Sequence, residues 1–518
     1  MEYNVLNESW IPVRWRNGDQ PSSVGLREAI VRAHEINELA TDNPLETIAL
    51  NRLLLALMAS IHRDLREPEN WLAVWDEGQF DPKRVDAYLN TYYDRFDLLS
   101  KTRPFYGHPD PGVEKVSSVT RLKHAATSGN NPMLFSHNWD AVAETMTLPE
   151  AARAVVCTQS IAVGGGKAEP FYLSDATLVG GAYFWLRGKV GDSVSLFNAI
   201  MLNLPPDSDN IWILSDEDCP DWEHAKPPEP LKRAPKGILD LLTLQSRRLK
   251  LIVNEDKKLT GVYYNQGSKV EGLSFDDPHL AYRIGKRGPY SLRFSVGKAL
   301  WRDSTVFMAT RDTSNKEGAH APRTFEWLSN EGEDTLGASP QDPFFADVFG
   351  IINDQAKIEN WRKERITLFP SIIEDADLFQ TLEEVLSEAN KENKRLQDAA
   401  KAFAKRVRLN KGIGDRISKE ASGEVTNLVI MLGIENRYWP ALNTPFEKLL
   451  ARIAQAEDEE NRKQLNQYWQ KYLRKVSTRI LEEAIKSFAQ DARSHQALAE
   501  AQIVLRGLPK KNKTEKST

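Results

Sequence analysis

Cysteine is almost absent from this chain: Cys157 and Cys219 are the only two in 518 residues. Two thiols cannot furnish a four-cysteine zinc site or more than one disulfide, which fits a reducing compartment. Histidine is sparse too, with nine residues, no HExxH and no paired metal-ligand spacing. Long apolar runs are missing. The longest, Leu53 to Ile61, has nine residues, against the roughly 20 needed to span a bilayer. The opening MEYNVLNESW has neither the basic nor the apolar region of a signal peptide. The expectation is a cytoplasmic protein without a membrane partner. An excess of positive charge is also lacking: 68 Lys and Arg face 73 Asp and Glu, a net charge of −5, which disfavours non-specific coating of nucleic acid. Enzyme signatures are scarce. A Walker A loop around Gly164-Gly165-Gly166-Lys167 would need Gly at 161 and Ser or Thr at 168, where the chain has Ile161 and Ala168. No G-x-S-x-G elbow occurs. The expectation is no catalytic residue, no cofactor and no metal.

What is present is a globular composition, 41% hydrophobic and 27% charged, in a chain long enough for two or more domains. Short β-rich runs occupy the first part. Val5 to Arg16 before the Asn17-Gly18 turn, Thr177 to Gly188, Leu249 to Val253 with Leu259 to Tyr264, and Ser291 to Val296 read as strands. Leu45 to Leu65 reads as a helix, and Asp192 as the cap of another over Val194 to Leu202. Pro205 to Glu223 reads as an acidic surface loop. After about Ile373 strand signals stop. Stripes such as Leu382, Val385, Leu386, Ala389 and Leu465, Tyr468, Trp469, Tyr472, Val476 mark amphipathic helices. The fold class read from this pattern is α+β: a large mixed α/β N-terminal domain over residues 1–372, a C-terminal four-helix bundle over 375–508, and a basic tail at 509–518.

Within the acidic total, basic residues cluster. Arg283 to Arg311 holds seven Lys or Arg against one Asp, Lys391 to Lys411 eight against two acidic residues, and Lys232 to Lys250 six against one. Each such run reads alone as a solvated face; three together point to at least one meeting phosphate. From Phe105 to Asp140 periodicity disappears, and loops of that length are functional or disordered. Gly164 to Gly166 mark either a sharp turn or a close approach by a backbone or ligand. Asn353-Asp354-Gln355-Ala356, between the apolar Val348 to Ile352 and the basic Lys357 to Arg365, reads as a turn and N-cap before a helix.

Five pieces in this order resemble the CasA family, the large subunit of the type I-E CRISPR Cascade complex: LNESWIPVRWRNG, the loop ending NNPMLFSHN, the GGG loop, GIINDQA and a C-terminal helical bundle. The resemblance spans essentially the whole chain. It implies a non-catalytic subunit that sits near the 5′ handle of a guide RNA beside other Cascade subunits. Such a subunit recognises the protospacer-adjacent motif (PAM) of double-stranded DNA through the minor groove. It opens the duplex to start an R-loop, and it recruits the CRISPR helicase-nuclease. Carried over, Gly164, Gly165 and Gly166, with Lys167 beside them, look like the glycine loop against the PAM. Gln355, between Asp354 and Ala356, looks like the wedge below it. Lys269 looks like the groove-inserting lysine, and Leu134-Phe135-Ser136 like the handle anchor, with Phe135 the aromatic contact. Two features depart from the family pattern. The chain cannot build the Cys-rich zinc insertion some members carry, and Asp354 stands where Asn is frequent. The alternative reading is a metal-dependent nucleic-acid-processing enzyme using the scattered His, Asp and Glu; a third is a structural scaffold.

Overall fold

The computed structural model describes residues 2–18, 20–123, 144–163, 178–206, 217–272, 276–310, 318–354, 357–486 and 491–507. Contacts divide the chain into two compact units. The first comprises 1–296 and 306–370; the second comprises 297–305 and 371–518.

The first unit opens with strand β1 (Ile11–Trp15), which pairs antiparallel with β2 (Ser22–Val24) across the expected turn, and with β3 (Ile36–Leu39) on its other edge. Helix α1 (Pro44–Ile61) follows. Asn43 caps it by accepting from Leu45 N at 3.0 Å, and Pro44 supplies a preset φ at its first position. By length and composition α1 could cross a membrane, yet 83% of it is buried inside the protein. It packs on α2 (Leu148–Ile161), which starts from a Thr147–Glu150 capping box. Next comes β4 (Tyr183–Lys189). Its neighbouring helix, Leu196–Leu202, is capped by Ser195 rather than Asp192: the Ser195 hydroxyl accepts from Asn198 N at 3.1 Å.

The acidic stretch expected at the surface is partly interior. Asp218 and Trp222 are buried, and Asp218 accepts from Leu239 N and Asp240 N, capping α3 (Ile238–Thr243). Strands β5 (Arg247–Val253) and β6 (Lys258–Gln266) form the expected hairpin over Asn254 to Asp256. A second hairpin pairs β7 (Tyr282–Gly285) with β8 (Gly288–Ser291). Beyond Ser291 the expected strand does not form: Leu292 and Phe294 are buried, but Val296 is 76% exposed.

The longest hairpin pairs β9 (Phe344–Asp354) with β10 (Lys357–Leu368). The basic stretch expected to be helical is therefore a strand. Ile366 and Leu368 alternate inward while Lys363 and Arg365 alternate outward, a period of two that pairing with β9 fixes. β4 pairs on the other edge of β9, giving a three-stranded sheet of order β10-β9-β4.

The second unit is the C-terminal helical region. Around the 34-residue α4 (Ala376–Leu409) pack α5 (Lys419–Leu432), α6 (Ile434–Ala454), α7 (Glu459–Ile485) and α8 (Ala492–Arg506). The described helices of ten residues or more number five, because Gly433, in the left-handed region at φ +60°, separates α5 from α6. Residues 297–305 complete this unit. Trp301 stacks on Phe446 at 4.4 Å between centroids, and Arg302 lies 3.5 Å from the Trp439 ring centre.

Candidate nucleic-acid interface

Leu134, Phe135 and Ser136, Gly164 to Gly166 with Lys167, and Gln355 with Ala356 lie outside the described residues. Their neighbours define where each segment leaves and re-enters the fold. The 124–143 segment leaves at Lys123 and returns at Glu144, whose side chains meet at 2.7 Å. The 164–177 segment leaves after α2. Val179 N donates to Ser160 O at 2.9 Å, closing its base. Gln355 and Ala356 stand between Asp354 and Lys357, the last paired residues of β9 and β10.

The sheet relates two of these segments. β4 runs antiparallel to β9, with Lys189 opposite Phe344 and Tyr183 opposite Phe349. The chain returning from 164–177 therefore enters the sheet at the Tyr183 end. That is the end past which β9 continues five residues, from Phe349 to Asp354. The re-entry of the glycine-bearing segment and the tip of the long hairpin share one end of one sheet. Just before that tip the register shifts between Ile352 and Asn353. Such an irregularity increases twist and re-aims the residues beyond it.

Lys269 is half-buried on a two-residue parallel bridge with Lys232. It follows β6 by three residues. The last residue of β6, Gln266, is paired with Arg247, whose guanidinium donates to Val163 O at 3.3 Å, immediately before Gly164. Lys269 and the departure of the glycine segment are thus linked through one strand pair.

The three basic runs have different fates. In Lys232 to Lys250, Arg233 grips Asp240, while Arg247 and Arg248 are buried, the latter donating to Asp110 O at 2.5 Å. Half of that run holds the fold together. In Lys391 to Lys411 four of the eight cations pair with carboxylates, Lys391 with Glu388, Arg395 with Glu392, Lys401 with Asp398 and Arg406 with Glu500, while Lys394, Arg408 and Lys411 are exposed. The third run keeps exposed cations: Lys286 and Arg287 at the turn of the β7–β8 hairpin, and Arg293 beyond it, with Tyr290 54% exposed. This hairpin is fastened to the long one. Arg362 of β10 donates to Ser295 O at 3.3 Å and lies 5.1 Å from the Phe294 ring centre. Phe294 occupies space that a side chain at Gly350 of β9 would claim, since a Cβ there would lie 2.7 Å from its ring. Sequence reasoning missed Arg362 and Phe294; the lone Gly350 inside a β-rich run is the signal of close approach.

Charge at the base of the long hairpin is neutralised internally. Burial raises the Asp347 carboxyl, but a hydrogen bond from Arg365 at 2.8 Å and the nearby charges of Lys363, Arg365 and Arg187 outweigh it, holding it below the usual carboxylate range. The exposed cations of the β7–β8 hairpin remain available to an anion. Among the described residues no group of three or more His, Cys, Asp or Glu is arranged to hold a metal ion.

A family model, CRISPR-associated protein Cse1, matches residues 4–480. The chain belongs to the Cse1 family. The CRISPR-associated protein CasA/Cse1 of Thermus thermophilus is 30% identical over 464 residues, 87% of this chain and 88% of that protein. The solved structure of Thermus thermophilus CasA (Cse1) superposes with a TM-score of 0.77 at 26% identity, covering 98% of both chains. At 19% identity, a chain of a structure described as a CRISPR RNA-guided surveillance complex shares the fold, with a TM-score of 0.75 over 98% of this Cse1-family chain and 99% of that one.

Proposed function

We propose that this chain is the non-catalytic large subunit of a type I-E CRISPR RNA-guided surveillance complex, reading the PAM of double-stranded DNA and starting its opening. The observation that carries the reading is the common sheet end, where the 164–177 segment re-enters at the end of the sheet from which the tip of the β9–β10 hairpin extends. A PAM reader needs a groove-facing loop and a wedge next to each other, because the base pair to be split is the one adjoining the motif. On this reading Gly164 to Gly166 face the minor groove, whose degenerate donor and acceptor pattern tolerates related motifs. Gln355 enters the stack and offsets an unstacking cost of a few kcal/mol. Lys269 reaches the groove, and Lys286, Arg287 and Arg293 bind the flanking phosphates. Phe135 and Ser136 anchor the guide handle. Other Cascade subunits hold the guide RNA, and the helicase-nuclease docks afterwards.

The test is to co-express the chain with its genomic neighbours and measure binding of matched duplexes carrying a randomised flanking triplet. A discriminating profile that flattens with Gln355→Ala supports the reading. A flat profile in the wild-type complex refutes it.

A further inference from the structure

The carbonyls that close α2 are held in an unusual way. The helix ends at Ile161 with Ala162 in an extended conformation, φ −52° and ψ 117°. Among the described residues no left-handed residue follows it; Gln159 O accepts from Ser246 Oγ and Ser160 O from Val179 N. For the two carbonyls beyond the helix Arg247, 4% exposed, reaches across from β5. Its Nη2 donates to Ala162 O at 2.9 Å and Val163 O at 3.3 Å, its Nη1 to Ser246 O at 2.7 Å, and its Nε to the Tyr264 hydroxyl at 3.1 Å. Among the described residues no carboxylate pairs with this guanidinium. A buried cation is costly to keep, and an apolar residue of similar volume would pack there more cheaply. What the guanidinium provides is a fixed position for the two carbonyls preceding Gly164, at a helix end where the dipole favours positive charge.

The surroundings make that position rigid. Gln159, one turn earlier on α2, accepts from Arg247 N at 2.8 Å, and its amide donates to Arg247 O and Tyr106 O, both at 2.9 Å. Ser246 Oγ donates to Gln159 O at 2.5 Å. On the far side the Tyr264 ring lies beneath Arg121, 4.2 Å from guanidinium carbon to ring centre. Tyr264 is therefore held on its face as well as at its hydroxyl.

We propose that Arg247, oriented by Tyr264 and Gln159, is a positioning residue for duplex recognition. It fixes the carbonyls of Ala162 and Val163, the residues after which the glycine-bearing segment begins, and so sharpens discrimination between flanking motifs. This rests on the reading that Gly164 to Gly166 face the PAM. Arg247 touches no DNA in this scheme and acts through the backbone of Ala162 and Val163.

The experiment uses the reconstituted complex with guide RNA and three variants: Arg247→Met, Tyr264→Phe and Gly165→Val. Each is assayed for affinity to a matched duplex with the preferred and with a non-preferred flanking triplet, for affinity to the matched single-stranded target, and for thermal melting. Arg247→Met is expected to lower the preferred-to-non-preferred ratio by about tenfold, with single-strand affinity within about twofold of wild type. Tyr264→Phe, which removes one hydroxyl and keeps the ring under Arg121, is expected to lower the ratio by about threefold, the scale of one neutral hydrogen bond. A fall in duplex and single-strand affinity by the same factor, tracking a lower melting temperature, would make Arg247 merely structural and overturn the proposal. If Arg247→Met does not assemble, an unchanged ratio for Tyr264→Phe overturns it. Loss of discrimination with Gly165→Val but not with the other two variants refutes the positioning role alone. An unchanged ratio with Gly165→Val refutes the underlying reading, and the proposal with it.

Discussion

Arg52 and Asp277 meet at 2.6 Å in the interior of the first unit, the guanidinium 1% exposed. Burial alone would raise the Asp277 carboxyl. The Arg52 charge and His279, whose backbone N–H donates to Asp277 Oδ1 at 3.0 Å, hold it well below the ordinary range. Removing one partner leaves an uncompensated buried charge, so Arg52→Ala is expected to cost about 3–5 kcal/mol in denaturant unfolding of the subunit. The pH dependence follows in sign. Because the folded carboxyl binds its proton more weakly than the unfolded one, its contribution is complete above about pH 5 and is lost as pH falls below the unfolded value of about 4. Asp277→Asn should flatten the acid limb of a stability-against-pH curve; a limb of unchanged slope would remove Asp277 from that account. None of this pairing is legible in the sequence, where the two residues stand 225 positions apart. Arg247 is hidden for the same reason, its acceptors at the end of α2 lying 84 and 85 residues upstream.

Hairpins organise the candidate interface. Gly267, immediately after β6, sits where a Cβ would come within 2.3 Å of Gln245 O and 2.5 Å of Arg247 N. These are backbone atoms at the start of the paired β5 and just before it, and cannot step aside. Gly267→Ala is therefore expected to destabilise by about 3 kcal/mol or more, read as a lower unfolding midpoint; a midpoint unchanged from wild type would mean the strand exit is more pliant than its packing indicates. Elements differ in how far the chain announces them. The stripe Leu382, Val385, Leu386, Ala389 declares α4 because a period of 3.6 is a local property. β10 is not announced: Lys357 to Arg365 is too charged to read as a strand. What makes it one is pairing with the apolar β9, with Trp361 opposite Ile351 and Lys363 opposite Phe349. The order of the segments along the chain could suggest a site. Only the antiparallel pairing of β4 with β9 brings the re-entry of 164–177 to the end of the sheet from which the hairpin tip extends.

For the whole molecule, net charge is a poor guide and its placement a good one. Of the three basic runs, one has two of its six cations buried and a third held by Asp240, and one has four of its eight cations paired with carboxylates. The β7–β8 hairpin keeps its cations exposed. If that hairpin meets the duplex backbone, Lys286→Ala with Arg287→Ala should lower the slope of log affinity against log salt by roughly 2, at about 0.9 per phosphate contact. An equal number of substitutions at Lys391 and Lys401 should change it less. Matching slopes for both doubles would assign the electrostatic contact elsewhere.

Residues 297–305 carry a consequence for how the protein is made. They belong to the second unit, yet the ribosome delivers them while most of that unit is unwritten. Trp301 donates its indole N–H to Asn443, 142 residues further on, and stacks on Phe446. At about 5–20 residues per second, those partners emerge roughly 7–28 s later. For that interval an aromatic side chain destined for the helical unit waits without its pocket while the first unit is still acquiring β9 and β10. A nascent chain paused in this window presents Trp301 to whatever binds exposed aromatics, so the order of synthesis, as much as the final packing, sets where this protein is vulnerable to misassembly.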